Sequence, residues 1–271
     1  MDFGVNIFSF KKDLAKDEEP TYKRISELGV KIIEPWINIG KEFDNPVHIK
    51  NQVWKLKDVD KKLAMLKKYG LSVHTAFMIF CEYDGKVLAK DIQLLHDKFG
   101  IEGFVFMDTH LKDRAKADLL CDTLNVIAEN ISDDVVLLYH NHDNEYQYST
   151  EDGQPLMEYI MNRSPRLCFE ADLAWFTYVG KNPSEYLEQY KDRVKVFHMQ
   201  DLSSDYASRN REELTCAVGS GVVDLKTTLK ELDKYPLIES CKFIVDQDYS
   251  PNQDGMYEDI ASGMKFLSEN L

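Results

Sequence analysis

The chain has 271 residues, 44% of them hydrophobic and 30% charged, and carries a formal net charge of −14 at pH 7. That length buries a sizeable core and suits one α/β domain over 1–271 better than two small ones. The negative balance argues against unaided binding to nucleic acid or to an anionic membrane surface, since both would repel it.

Along the chain, short β-branched or aromatic runs alternate with charged stretches of helical spacing. Runs at 3–8 and 30–35 predict the first two strands, followed by a long connection over 36–57 and a helix over "VDKKLAMLKKYG", 59–70. Strands are expected next at 71–77 and 102–107, then a helix over 111–130. In that helix Leu111, Ala115, Leu119, Leu120, Leu124 and Ile127 recur at steps of one, three and four, which predicts an apolar face. A strand at 135–140 leads into a connection over 141–155, and a strand at 166–172 precedes a helix over 183–190. The last strands fall at 193–198 and 241–246, separated by a connection over 199–223 and a helix over 224–235; a helix over 256–271 closes the chain. Eight strand–helix units in this length predict a (β/α)8 TIM barrel as a single domain. No GxGxxG follows the first strand, which argues against a dinucleotide-binding sheet.

Five cysteines stand singly at 81, 121, 168, 216 and 241, a pattern that suits a reducing compartment. No basic segment precedes an apolar run at the start and no stretch reaches transmembrane length, so the expected location is cytoplasmic. A homo-oligomer is compatible with the composition.

In a barrel of this kind, functional side chains gather at the C-terminal ends of the strands. Read to their ends, the runs offer Glu34, His74, His140 with His142 and Glu145, Glu170 with Asp172, His198 with Gln200 and Asp201, and Asp246 with Asp248. Period-two alternation puts Leu138, His140 and His142 on one face, Glu170 with Asp172 on another, and Val196 with His198 on a third. His140, Asp172, His198 and Asp246 can therefore converge at the mouth. Imidazole nitrogen with carboxylate oxygen and no thiolate is a donor set for a divalent ion such as Mn²⁺, Mg²⁺, Co²⁺ or Zn²⁺. Asp201 and Asp248 read as caps or supporting acceptors. Beside Glu34, Pro35 and Trp36 either line a sugar pocket or pack, and Trp175 either stacks on a sugar ring or packs. His48, His96 and His110 lie in loop or helix stretches and read as solvated or capping. "VGSGVVDL", 218–225, lacks GK[ST] and reads as a turn feeding a helix capped by Asp224 rather than a phosphate cradle.

The segments "HNHDNEY", "EADLAWFTYVGKNPSEYLEQYKDRVKVFHMQD", "VGSGVVDL" and "FIVDQD" together resemble the xylose isomerase-like barrel superfamily, in particular its sugar phosphate isomerase/epimerase branch. The resemblance covers nearly the whole chain. It implies a carbohydrate-metabolising enzyme with a divalent metal, often manganese, held by the last four strands. Position by position, Asp172 and His198 match the sixth- and seventh-strand ligands. Asp246 stands for an eighth-strand Glu, and His140 for a fifth-strand Glu, with Glu145 a competing ligand or acid/base. Gln200 stands where relatives often carry Lys, which favours a neutral sugar or keto-sugar over a sugar phosphate. The implied chemistry is proton abstraction next to a carbonyl through an enediolate, with Glu145, His142 and Glu170 as catalytic candidates. Glu34, Trp36, His74, Trp175 and Gln200 are the substrate-binding candidates. A 3-keto-glycoside lyase or hydrolase and a non-catalytic sugar binder are the alternatives. A phosphodiesterase like the type IV apurinic endonucleases is disfavoured, because Trp175 stands at an expected His ligand and 219–224 has no Asp-x-His pair.

Overall fold

Twelve short strands and the helices between them are laid out in strict chain order in a computed structural model that describes residues 3–43, 51–251 and 255–271. The strands are β1 (Gly4–Asn6), β2 (Ile32–Glu34), β3 (Trp36–Asn38), β4 (Val53–Lys55), β5 (Thr75–Ile79), β6 (Gly103–Phe106), β7 (Val136–His140), β8 (Leu167–Asp172), β9 (Val194–Met199), β10 (Asp201–Leu202), β11 (Thr215–Cys216) and β12 (Phe243–Val245). Ten of them form one sheet in the order β2-β1-β12-β9-β8-β7-β6-β5-β3-β4, and every pair in it is parallel.

β2 and β3 are one stave interrupted by Pro35, which has no N–H to give to a ladder. β2 pairs with β1 on one side, while its Ile32 bridges Ser72 just ahead of β5, and Phe77 N–H donates to the Pro35 carbonyl at 2.8 Å. These contacts close the sheet on itself, giving the (β/α)8 barrel expected from the sequence. All eight predicted runs contribute a stave. The stretch 36–57, read as connection, also supplies β3 and β4; residues 44–50, His48 among them, lie outside the described residues.

The helices follow their local signals. Asp84 caps the helix Gly85–Phe99 by accepting from Lys86 N and Val87 N, and Gly100, at φ 71°, ends it in the left-handed region. In the helix Arg114–Glu129 the buried face is Ala117, Leu120, Cys121, Leu124 and Ile127. Ala115 and Leu119, assigned to that face from the sequence, point to solvent instead. Leu111, Leu120, Leu124 and Ile127 are buried as expected, while the helix itself begins at Arg114 behind its Asp113 cap.

Inside the barrel the lower layer is apolar. A Cβ on Gly103 would lie 2.8 Å from Thr75 Cγ2 and 2.9 Å from Leu138 Cδ1, so only glycine admits those side chains. Above it sits a buried polar layer of Glu34, Thr75 and Glu170, and above that the strand ends carrying His140, Asp172 and His198. Among the described residues no helix is long and apolar enough to cross a membrane.

Candidate metal centre at the barrel mouth

Parallel register makes the central side chains lateral neighbours. His140 is paired with Glu170 across β7–β8, and Asp172 with His198 across β8–β9. Ligand atoms of His140, Asp172 and His198 all lie within 4.8 Å of one another, and those of Glu34, Glu170 and His198 form a second such group just below. Phe77 packs edge-on against both imidazoles, with ring centroids 5.2 Å from His140 and 5.7 Å from His198. One aromatic ring thus holds both imidazoles in place.

Their hydrogen bonds are unevenly filled. His198 Nε2 lies 2.6 Å from Glu34 Oε2, which also accepts from Asn6 Nδ2 at 2.9 Å, while Thr75 Oγ1 donates to Glu34 Oε1 at 2.6 Å. His140 Nδ1 lies 3.0 Å from Glu170 Oε1. Asp172 uses Oδ1 to cap the helix Leu173–Tyr178, accepting from Ala174 N at 2.9 Å. Its backbone N–H donates to Asn141 Oδ1, which fixes the strand end. That leaves Asp172 Oδ2, His198 Nδ1, Asp246 Oδ1 and Glu170 Oε2 buried with no hydrogen-bond partner. Orphaned buried acceptors are costly. Three of these four belong to groups predicted as metal ligands from their strand-end positions. A divalent cation fits this donor set and would satisfy atoms that no protein group reaches.

The electrostatics show a cluster short of positive charge. Burial drives the Asp172 carboxyl well above its ordinary pKa, and the Asp246 charge adds to the effect. Burial and the neighbouring Glu34 charge do the same to Glu170. Burial also pushes Glu34 upward, but the His198 charge and the hydrogen bonds from His198, Thr75 and Asn6 bring it below the ordinary value. For His198, desolvation is outweighed by the Glu170 and Glu34 charges, and its pKa rises well above normal. His140, desolvated and beside His198 and His142, falls well below normal and is neutral. His140 is thus in the neutral form a cation requires, whereas His198 and Asp172 would each release a proton as an ion bound.

The remaining candidates fall in different places. Asp246 extends beyond β12 with Oδ2 3.7 Å from His198 Nδ1, and its side chain is 12% exposed against 0–4% for the other three. Gln200 is buried and spends its amide on Asp246 Oδ2 (3.2 Å) and Asp248 Oδ2 (3.3 Å), bridging two acids rather than facing open space. His142 lies beside His140 and Trp175, with ring centroids at 4.9 and 5.4 Å, and burial lowers its pKa to about 3. Trp36 packs with Phe8 and Phe77, and its Nε1 donates to Asn6 Oδ1 at 3.3 Å, in keeping with the packing alternative.

Two expectations are corrected. Glu145 does not reach the cluster: Tyr139, on the outward face of β7, donates to its Oε1 at 2.7 Å, and His142 N–H donates to its Oε2 at 3.0 Å. Glu145 therefore braces the loop that presents His142. His74 sits at the wrong end of its strand, because β5 begins at Thr75 rather than near 71; it is held at the foot of the barrel by Glu102 Oε1 (3.0 Å) and Ser72 Oγ (3.1 Å).

Other members of the site went unread in the sequence. Asn6 ends β1, so the strand-end rule could have found it; Thr75 begins its strand and gave no such signal. Arg211, in the 199–223 connection, makes a bidentate pair with buried Asp143 at 2.6 and 2.7 Å, and its guanidinium lies 4.5 Å from the Trp175 ring centroid. Nothing in its sequence neighbourhood marks it.

Searches for known relatives support the architecture. No family model matches the chain. An inosose dehydratase of Clostridium botulinum (strain Eklund 17B / Type B) is 27% identical over 110 residues, which is 40% of this chain and 36% of that protein. The match thus spans little more than a third of that relative's length. The crystal structure of a sugar phosphate isomerase/epimerase from Parabacteroides distasonis ATCC 8503 superimposes with a TM-score of 0.76 at 18% identity, covering 98% of this chain and 92% of that one. The IolI protein with a bound zinc atom superimposes with a TM-score of 0.64 at 15% identity, covering 100% and 99%. At these identities the likeness establishes the fold.

Proposed function

We propose that this chain, which has the fold of the xylose isomerase-like (β/α)8 barrels, is a divalent-metal-dependent enzyme that isomerises or epimerises a sugar by moving a proton next to a carbonyl. The observation that carries the reading is the set of buried, unpartnered ligand atoms, Asp172 Oδ2, His198 Nδ1 and Asp246 Oδ1, assembled with His140 at the strand ends. His140, Asp172, His198 and Asp246 would hold the ion. Bound there, a divalent cation supplies polarisation of a substrate carbonyl and stabilisation of the negative charge that deprotonation creates.

The protein's own groups do the rest. Trp175 is buried with the Arg211 guanidinium over its ring and packs against His142, holding that imidazole in place. His142, kept neutral by its burial, and Asp246, the most exposed of the four ligands, are the groups placed to accept and return a proton. Gln200 brings no charge to the site, which favours a neutral sugar or keto-sugar over a phosphorylated one.

The similarity to inosose dehydratase favours one second reading: the same first proton abstraction, followed by loss of a hydroxyl from the next carbon. Incubation of ketoses and cyclic keto-polyols with protein and Mn²⁺ in D₂O distinguishes the two by mass spectrometry. Isomerisation or epimerisation gives an isomer one mass unit heavier in deuterium, and dehydration gives loss of water. Absence of both deuterium uptake and dehydration over the whole panel would count against either chemistry.

A further inference from the structure

Two buried carboxylates lie beneath the cluster, each with its shortest histidine contact to a different ring, although Glu170 Oε1 also lies 3.4 Å from His198 Nε2. Glu34 Oε2 is 2.6 Å from His198 Nε2, and Glu170 Oε1 is 3.0 Å from His140 Nδ1. The opposite nitrogens face the mouth: His198 Nδ1 lies 3.7 Å from Asp246 Oδ2, and His140 Nε2 lies 3.7 Å from Asp172 Oδ2. We propose that Glu34 and Glu170 are positioning residues that hold the ring protons on His198 Nε2 and His140 Nδ1, so that His198 Nδ1 and His140 Nε2 present their lone pairs to a divalent cation. This rests on the metal reading above and assigns a task to two residues that sequence reasoning gave to catalysis and substrate binding.

The direction of the proton on His198 follows from its neighbours. Glu34 already accepts from Thr75 Oγ1 and Asn6 Nδ2, donors that suit a carboxylate, so the hydrogen in the short contact to His198 belongs to the imidazole. In the neutral ring a donor at Nε2 leaves Nδ1 as the acceptor, and Nδ1 is the atom without a partner. A carboxylate behind a ligating imidazole fixes both its tautomer and its ring orientation and raises its basicity. The two histidines then ligate through different nitrogens, Nδ1 from β9 and Nε2 from β7. The same geometry separates this arrangement from a rival one. Glu34, Glu170 and His198 could themselves surround an ion, but that ion would need the Nε2 lone pair that the first arrangement uses to carry a proton.

The test is long-range ¹H–¹⁵N NMR of histidine side chains in the Zn²⁺-loaded full chain, with His140→Gln and His198→Gln spectra for assignment. It is paired with calorimetric Zn²⁺ titration of wild type and Glu34→Gln. The expected result is one ion per chain, a protonated Nε2 on His198, a protonated Nδ1 on His140, and binding weakened by about 10- to 100-fold in Glu34→Gln at unchanged stoichiometry. The wild-type spectrum keeps the test decisive even where a variant fails to fold. A protonated Nδ1 on His198, a second ion lost in Glu34→Gln, or unchanged affinity in a folded Glu34→Gln would overturn the inference while leaving the metal reading intact. No Zn²⁺ binding by wild type would overturn both.

Discussion

A carboxyl group sealed from water keeps its proton to higher pH than the same group in an unfolded chain, and Glu145 is such a group. Burial raises its pKa from 4.5 to about 7, against hydrogen bonds from Tyr139 and His142 that pull the other way. Between those two values the unfolded chain has released the proton while the folded chain still binds it. Stability therefore falls as pH rises across that window and levels off above it. A tenfold change in proton affinity is worth about 1.4 kcal/mol, so the effect is on the order of 3 kcal/mol. In Glu145→Gln the group no longer titrates, so thermal melts of variant and wild type between about pH 5 and 8 should diverge, the variant gaining relative stability with pH. Parallel curves would contradict the buried placement. The resemblance put Glu145 at the site as a competing ligand or acid/base, just after His140 and His142. Three-dimensionally the chain turns through Asn141–Asn144 and starts a helix at Asn144, which carries Glu145 to the outward, Tyr139 side of β7. Proximity in sequence was legible; the side of the strand was not.

At the scale of elements, the glycine segment 218–225 resolves a question that its composition left open. Its amides are not free for a phosphate. Gly219 N and Gly221 N donate to Asp201 Oδ2 at 3.0 and 2.8 Å, and Val223 N with Leu202 N to Asp201 Oδ1 at 3.0 and 2.9 Å. A Cβ on Gly221 would collide with the Leu202 carbonyl and the Asp201 carboxylate. Asp201→Ala should strand the two buried amides of Leu202 and Val223 and free the part-buried ones of Gly219 and Gly221. With each buried unpaired group costing about 1–3 kcal/mol, denaturant melts should show a loss of roughly 3 kcal/mol or more. A loss under about 1 kcal/mol would mean the segment reorganises around water. The expected Asp224 cap is in place, with its carboxylate accepting from Thr227 N and Oγ1. The staves themselves were legible because a parallel strand buried on both faces reads as a continuous apolar run. Their ends were harder to place. The run "LSVHTAF" begins in a loop that merely bridges β2 through Ser72, so its histidine stands before the strand and not after it. Long-range partners were outside reach altogether: Asn6 meets Glu34 across 28 positions, and Arg211 meets Asp143 across 68.

For the whole molecule, barrel closure is what turns four separate strand ends into one site. Asp172, His198 and Asp246 are spread over 74 positions of sequence, yet adjacency of β8, β9 and β12 brings them to one rim. Concentrating buried acids there works against folding unless something offsets their mutual repulsion and lost hydration. A bound cation does so and should stabilise the fold by mass action. Asp172→Asn separates this from a local structural role, because the amide oxygen can still cap the helix Leu173–Tyr178 while the ligating charge is gone. The most direct measurement is therefore calorimetric titration of metal-stripped protein with Mn²⁺ or Zn²⁺, with melting temperature followed in parallel. One ion should bind per wild-type chain and raise the melting temperature, and Asp172→Asn should fold yet lose both effects. Binding and stabilisation that survive undiminished in Asp172→Asn, or a wild type that takes up no divalent ion, would contradict a metal centre at these strand ends.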